Sequence, residues 1–251
     1  MPHSAKDHFG GKSVPAHVKE AREKGAKASA ETHGTEISGQ KAAFADAIKD
    51  TALATSLLFI SLSPFLPEKK VFFAILLFLV GWIIWKTGRS ACFGWARLER
   101  LHRIIEEERW EIEHHRGQER EELMELYRAK GFEGPLLTQV IDVLMADDNR
   151  LLQIMLEEEF GLALEAYEHP LEQAFGAFLG ALSISLITFI SYLTSPTYGL
   201  LGALFISFLA AGIYTAKIEN IKLLPSFIWN GALFCLSLGI TYFAMQFCKL
   251  P

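Results

Sequence analysis

Ten glutamates fall between Glu99 and Glu125, in the stretch ERLHRIIEEERWEIEHHRGQEREELME. On a helical wheel of roughly 100° per residue, Glu108, Glu111, His115, Glu119 and Glu122 share an arc of about 80°. Carboxylates crowded in this way repel one another unless a cation neutralises them. Gly117 stands in the middle of the run and is expected to break the helix into two arms. Glu108/Glu111 and Glu119/Glu122 then become two facing ExxE pairs. Two carboxylates one turn apart suit the chelation or bridging of a divalent ion, with His115 as a further candidate ligand. The competing reading is a solvated acidic face, paired at i,i+4 with Arg103, Arg109, Arg116 and Arg120.

A second element is Met155-Leu156-Glu157-Glu158-Glu159-Phe160. Met155 and Glu159 lie one helical turn apart and Glu158 stands three residues after Met155. A thioether beside carboxylates favours a softer transition ion such as Fe(II) over Ca or Mg. Glu111 and His114 also form an ExxH, the pattern of di-iron helix bundles. Such a site needs a second ExxH and a four-helix core, and neither is legible. The chain is read as a binder or carrier of metal ions and not as an enzyme.

The elements that must position these residues follow from hydropathy. Of the 251 residues, 51% are hydrophobic. They concentrate in blocks of about 16–24 residues, near the roughly 20 that a helix needs to cross a bilayer. The blocks run over Thr51–Leu66, Val71–Phe93, Ala174–Leu193, Tyr198–Thr215 and Leu224–Phe247. They lack the period-2 alternation of a transmembrane β-barrel. The fold class read here is an all-α membrane protein, with five transmembrane helices and a cytosolic three-helix metal-binding domain inserted between helices 2 and 3. The expected divisions are a flexible polar tail over 1–45, helices 1–2 over 46–96, the glutamate-rich domain over 97–169 and helices 3–5 over 170–251.

Within the soluble piece, a helix is expected over 97–130, closed by Gly131. A second starts at Pro135, with an apolar stripe of Leu136, Val140, Val143 and Leu144. A third starts with Asp147 or Asp148 as N-cap and ends before Gly161. The tail, with a helix around 18–29, carries His3, His8, His17 and His33, read as solvated. It shows no apolar core of the signal-peptide type, so the first span is expected to act as an uncleaved anchor. Short, charge-poor loops alternate with longer segments that hold most of the Lys and Arg. The positive-inside rule therefore places the N-terminus and the glutamate-rich domain in the cytoplasm and the C-terminus on the opposite side. A net charge of −5 and the lack of a basic cluster argue against nucleic acid as a partner. Cys92, Cys235 and Cys248 form no CxxC pair and read as apolar packing residues.

The stretch from Glu108 to Leu162 (ERWEIE…EREELMELYRAKGF…QVIDVLMADD…MLEEEFGL) resembles the cytosolic metal-binding domain of the vacuolar iron transporter family. HPLEQAFGAFLGALSISLITFISYL is similar to that family's third span, and the likeness covers about 49–250. The resemblance implies that Glu108, Glu111, Glu119 and Glu122 bind the cation with Met155 and Glu159, and that Glu158 substitutes for a further glutamate. It also implies a homodimer that exchanges Fe(II), with Mn(II) as the second candidate, for protons out of the cytosol. Two departures stand out. The family's first-span Asp-Gly appears here as Asp50-Thr51, which makes Asp50 the candidate ion-path residue. Its second-span methionine and small residues are replaced by Trp82-Ile83-Ile84-Trp85-Lys86-Thr87, where the two tryptophans either plug a path or pack as interfacial residues. An alternative reading is therefore a membrane-anchored metal-binding or regulatory protein that has lost its translocation path. Asp50 is a functional candidate because ionisable groups within a membrane are costly to keep.

Overall fold

The computed structural model describes residues 13–29, 39–162 and 169–247. Among them every regular element is a helix: α1 (Val14–Ser29), α2 (Gln40–Leu62), α3 (Glu68–His114), α4 (Arg116–Ala129), α5 (Gly134–Leu144), α6 (Asp148–Glu158), α7 (Pro170–Thr194), α8 (Tyr198–Ile218) and α9 (Leu223–Phe247). The chain divides into two compact units, one of residues 1–34 and 95–167, the other of residues 35–94 and 168–251. Cys248, His3, His8 and His33 lie outside the described residues.

Among the described residues, four helices are long and apolar enough to cross a membrane: α3, α7, α8 and α9. Their outward faces are apolar. Phe73, Leu77, Val80, Ile84 and Trp85 on α3 are exposed, as are Leu224, Trp229, Leu233, Leu236, Ile240 and Phe243 on α9. Exposed apolar surface on this scale is an aggregation hazard in water and a normal lipid-facing surface in a bilayer. The expected first apolar block, Thr51–Leu66, is shorter in the structure: α2 ends at Leu62, and Lys41, Asp46, Lys49 and Asp50 occupy its first half. It is not among the four.

Instead α2 is the packing centre of its unit, lying against α7, α8 and α9. Small residues make the close approach to α7. Ala43, Ala47 and Ala177 form a buried cluster. A Cβ at Gly176 would meet the Gln40 carbonyl, and one at Gly180 would meet the Phe44 carbonyl and lie 2.9 Å from the Ala47 Cβ. Such small-xxx-small faces let helix backbones touch where no hydrophobic effect drives them together. Gly180→Val is therefore expected to lower the thermal midpoint and the folded yield, by about 1–3 kcal/mol as for other overpacked cores. Gly202→Val, at a position open on all sides, is the control and should leave both unchanged. Thermal unfolding in detergent measures the difference.

In the other unit α5 and α6 pack with α3 and α4 around one core, but the face that α5 buries is Leu137 and Ile141, whereas Leu136 and Val143 of the expected stripe are exposed, one step of helical phase away. Leu101, Ile104, Ile112, Leu123, Leu137, Ile141, Leu151, Leu152, Met155, Leu156 and Leu162 form one buried cluster. The local signals act as physical chemistry requires. Asp147 caps α6 by accepting a bond from the Arg150 N–H at 2.8 Å. Gly131, with φ 93°, follows the end of α4, and Gly161, with φ 69°, follows α6; both lie in the left-handed region where glycine carries no Cβ penalty. The interruption between α3 and α4 falls at His115 (φ −126°, ψ 28°), not at Gly117, which sits inside the first turn of α4. A negative φ is open to any residue, so glycine's freedom is not what breaks the helix. Residues 14–29 of the polar tail form α1, which packs on α4 through buried Val18 and Ala21.

Candidate metal centre

Three carboxylates from α3 and α4 and one from the end of α6 are withdrawn from solvent. Glu108, Glu119 and Glu122 are 0% exposed and Glu159 is 1% exposed. Ionised carboxylates are almost never buried this completely without a partner. Neither oxygen of Glu108 has a hydrogen-bond partner among the described residues. Burial pushes the Glu108 carboxyl well above the usual carboxylate range, and the charges of Glu159, Glu119, Glu111 and Glu122 add to the shift. Burial also raises Glu159, against an opposing pull from His17 and with Glu122 and Glu111 adding to it. Four acidic groups thus act on Glu108, and two of them on Glu159, where solvent is largely excluded, which is the electrostatic condition that a divalent cation relieves.

Both ExxE pairs contribute. Glu111 is half-buried and close enough to act on Glu108 and Glu159. The α4 pair is held in place by the arginines that would have neutralised it on a solvated face. Arg116 donates to Asp148 at 2.5 Å and to the Met145 carbonyl at 2.6 Å, and Arg120 donates to Asp142 at 2.6 Å. These two cations tie α4 to its neighbours and leave the glutamate face to the pocket.

The α6 residues divide. Met155 is wholly buried one turn before Glu159, within the hydrophobic cluster. Glu158 is partly exposed and paired with Lys130, and its side chain thus turns to a surface cation. His115, half-buried at the α3–α4 interruption, has its ring edge-on to Trp110 at 5.4 Å.

One residue comes from outside the expected set. His17 on α1 places Nε2 3.4 Å from Glu159 Oε1 and 3.6 Å from Glu122 Oε1. The ligand atoms of these three residues all lie within 4.8 Å of one another. Scattered histidines in a polar segment gave no reason to single it out. The available signal was the spacing of Val14, Val18 and Ala21, which gives that segment an apolar face beside His17.

The other candidate, Asp50, lies in the second unit. Lys86, 2% exposed, places Nζ 2.8 Å from Asp50 Oδ2 and 2.8 Å from Asp46 Oδ2. Beside it, the Trp82 indole donates to buried Thr51 at 3.0 Å and stacks on Phe78. Trp85 is 61% exposed and faces away from this network. Of the two tryptophans, only Trp82 adjoins Asp50's neighbourhood.

The VIT family profile matches residues 95–246, more than half of the chain and including the whole glutamate cluster except His17. The match begins at Trp95, so α2, with Asp46 and Asp50, and the first part of α3, with Lys86, fall outside it. No curated protein matches the chain. The buried carboxylates, the apolar helices and this match lead to one assignment: the chain belongs to the VIT family, the vacuolar iron transporters, whose members are membrane transporters and not enzymes.

Proposed function

We propose that the chain carries a divalent transition metal, Fe(II) first and Mn(II) second, out of the cytosol in exchange for protons. The observation that carries this reading is the unpartnered, fully buried carboxyl of Glu108 among Glu111, Glu119, Glu122 and Glu159. Carboxyls whose proton affinity is raised by burial hold protons until a divalent ion displaces them. Metal entry is then proton release, and the reverse exchange drives metal loss. Oxygen ligands with a buried thioether one turn away suit a borderline metal better than Mg or Ca.

In this reading α2 is the fifth span. Its charges are carried across by pairing with Lys86, and its small-residue face packs on α7. The N-terminus and the glutamate-bearing unit face the cytoplasm, the C-terminus the opposite side, and two copies assemble as a dimer. A second reading, an anchored metal-binding protein without a working path, is favoured by one observation. The candidate path residue Asp50 is already neutralised by a buried ammonium.

Fe(II) uptake into proteoliposomes under an imposed proton gradient tests the proposal. Gradient-dependent uptake that falls by at least about tenfold with Glu122→Gln plus Glu159→Gln is the expected result, since even outer-shell changes cost metal sites ten- to hundredfold. Metal binding without uptake would establish the anchored binder. Neither binding nor uptake would sink both readings.

A further inference from the structure

Resting on the metal-capture reading above, we propose that His17 of α1 is a ligand of the captured ion and the residue that selects a borderline transition metal over Mg and Ca. The geometry is the first argument. Two donor atoms bound at about 2.1 Å to one tetrahedral ion stand about 3.4 Å apart. His17 Nε2 stands 3.4 Å from Glu159 Oε1 and 3.6 Å from Glu122 Oε1, so the imidazole nitrogen has coordination-shell spacing from both carboxylates, and the three donors lie within 4.8 Å of one another. Chemistry is the second. Imidazole suits Fe, Zn, Cu and Ni, whereas an all-oxygen cage also suits Mg, Ca and Mn. Adding one nitrogen to the carboxylates shifts the preference toward the former group.

The third argument is that α1 is seated for this task. Pro15 lies in its first turn, and the Ser13 carbonyl accepts from the N–H groups of Ala16 and His17, each at 3.0 Å. Val18 and Ala21 are buried against the unit. Arg22 donates to the Glu158 carbonyl at 3.3 Å, where the C-terminus of α6 attracts positive charge. His17 is thereby placed between α4 and the end of α6, with its side chain only 17% exposed. The helix covers the cluster and delivers its nitrogen in the same act.

The test uses the full-length protein in detergent, with Co(II) and Mg(II) as probes and Mn(II) electron spin echo spectroscopy to detect coordinated nitrogen. His17→Gln is expected to weaken Co(II) at least about tenfold, the scale of losses at metal sites. Mg(II) affinity should change much less, and the nitrogen coupling to Mn(II) should vanish. Glu159→Gln should weaken both metals and so reports on the capture reading itself. Equal losses of Co(II) and Mg(II) in His17→Gln, or a wild-type protein without nitrogen coupling, would make His17 a mere counter-ion and overturn the proposal while leaving the capture site intact. A wild-type chain that binds neither probe, unaffected by Glu159→Gln, would overturn the capture reading as well.

Discussion

Glu108→Gln is expected to stabilise the metal-free protein and to abolish its tight metal binding at the same time. In most buried sites, removing a polar group costs stability because a partner is orphaned. Among the described residues Glu108 has no hydrogen-bond partner to orphan. Its carboxyl sits at 0% exposure among acidic groups that act on it from Glu159, Glu119, Glu111 and Glu122. A neutral side chain of the same shape removes the repulsion and the desolvation of a charge. Each unit by which burial displaces a pKa corresponds to about 1.4 kcal/mol, enough to move a midpoint by several degrees. Melting of the purified protein with and without Fe(II) checks both halves. Wild type should gain stability from the metal and Glu108→Gln should not. A variant that melts lower than wild type without metal would show that the carboxyl stabilises the fold on its own, and the cluster would lose its standing as a cation site.

The same cluster sets the pH dependence of the metal-free protein. Glu108 and Glu159 both have folded-state values above the ordinary 4.5. Groups raised in the folded state bind protons more tightly there, so their contribution is fully present below 4.5 and is lost as pH rises through the folded values. The metal-free midpoint should therefore decline from about pH 5 toward neutrality. Excess divalent metal, which prefers the deprotonated cluster, should reverse the slope, and Glu108→Gln should flatten it. The exposed pairs Arg116–Asp148 and Arg120–Asp142 oppose this only weakly, since surface ion pairs contribute about 0–1 kcal/mol.

The glutamate face was legible because helical periodicity alone gathers Glu108, Glu111, Glu119 and Glu122 on one side, and burial of the apolar stripes then turns that side inward. The cap at Asp147 and the stops at Gly131 and Gly161 were legible for a similar reason: each is decided within one turn of chain. The place where α3 breaks was not. Its backbone angles at His115 suit many residues, so no residue type marks the site in the sequence. That Glu158 pairs with Lys130 while Glu159 is buried was not legible either, because one residue of helical phase separates the two. His17 and Lys86 both depend on contacts with segments distant in sequence, and no local rule exposes those. Lys86 stood inside the apolar block Val71–Phe93, and nothing near it in sequence pointed to a partner. In the structure it lies inside α3, buried and bonded to two aspartates of α2.

That pairing carries the second large effect. Lys86→Met leaves Asp46 and Asp50 facing the space that the ammonium filled, in the apolar unit of the protein. Removing one partner of a buried ion pair costs about 3–5 kcal/mol, because the remaining charge is stranded. The partial exposure of the two aspartates places the expected loss toward the lower end. Folded yield and thermal midpoint should both fall sharply. Adding Asp46→Asn and Asp50→Asn to Lys86→Met should recover most of the loss, since replacing a whole buried ionic group is often neutral. A simple structural pair predicts nothing more. If the aspartates are a cation position that Lys86 occupies, divalent metal should also rescue Lys86→Met. That rescue should persist with the Glu122→Gln and Glu159→Gln changes present and disappear with Asp50→Asn. Rescue with a gain in uptake would make the lysine a gate on a working path. A Lys86→Met protein that folds as well as wild type would show that the ammonium is not what holds the aspartates, and the case for a blocked path would fall with it.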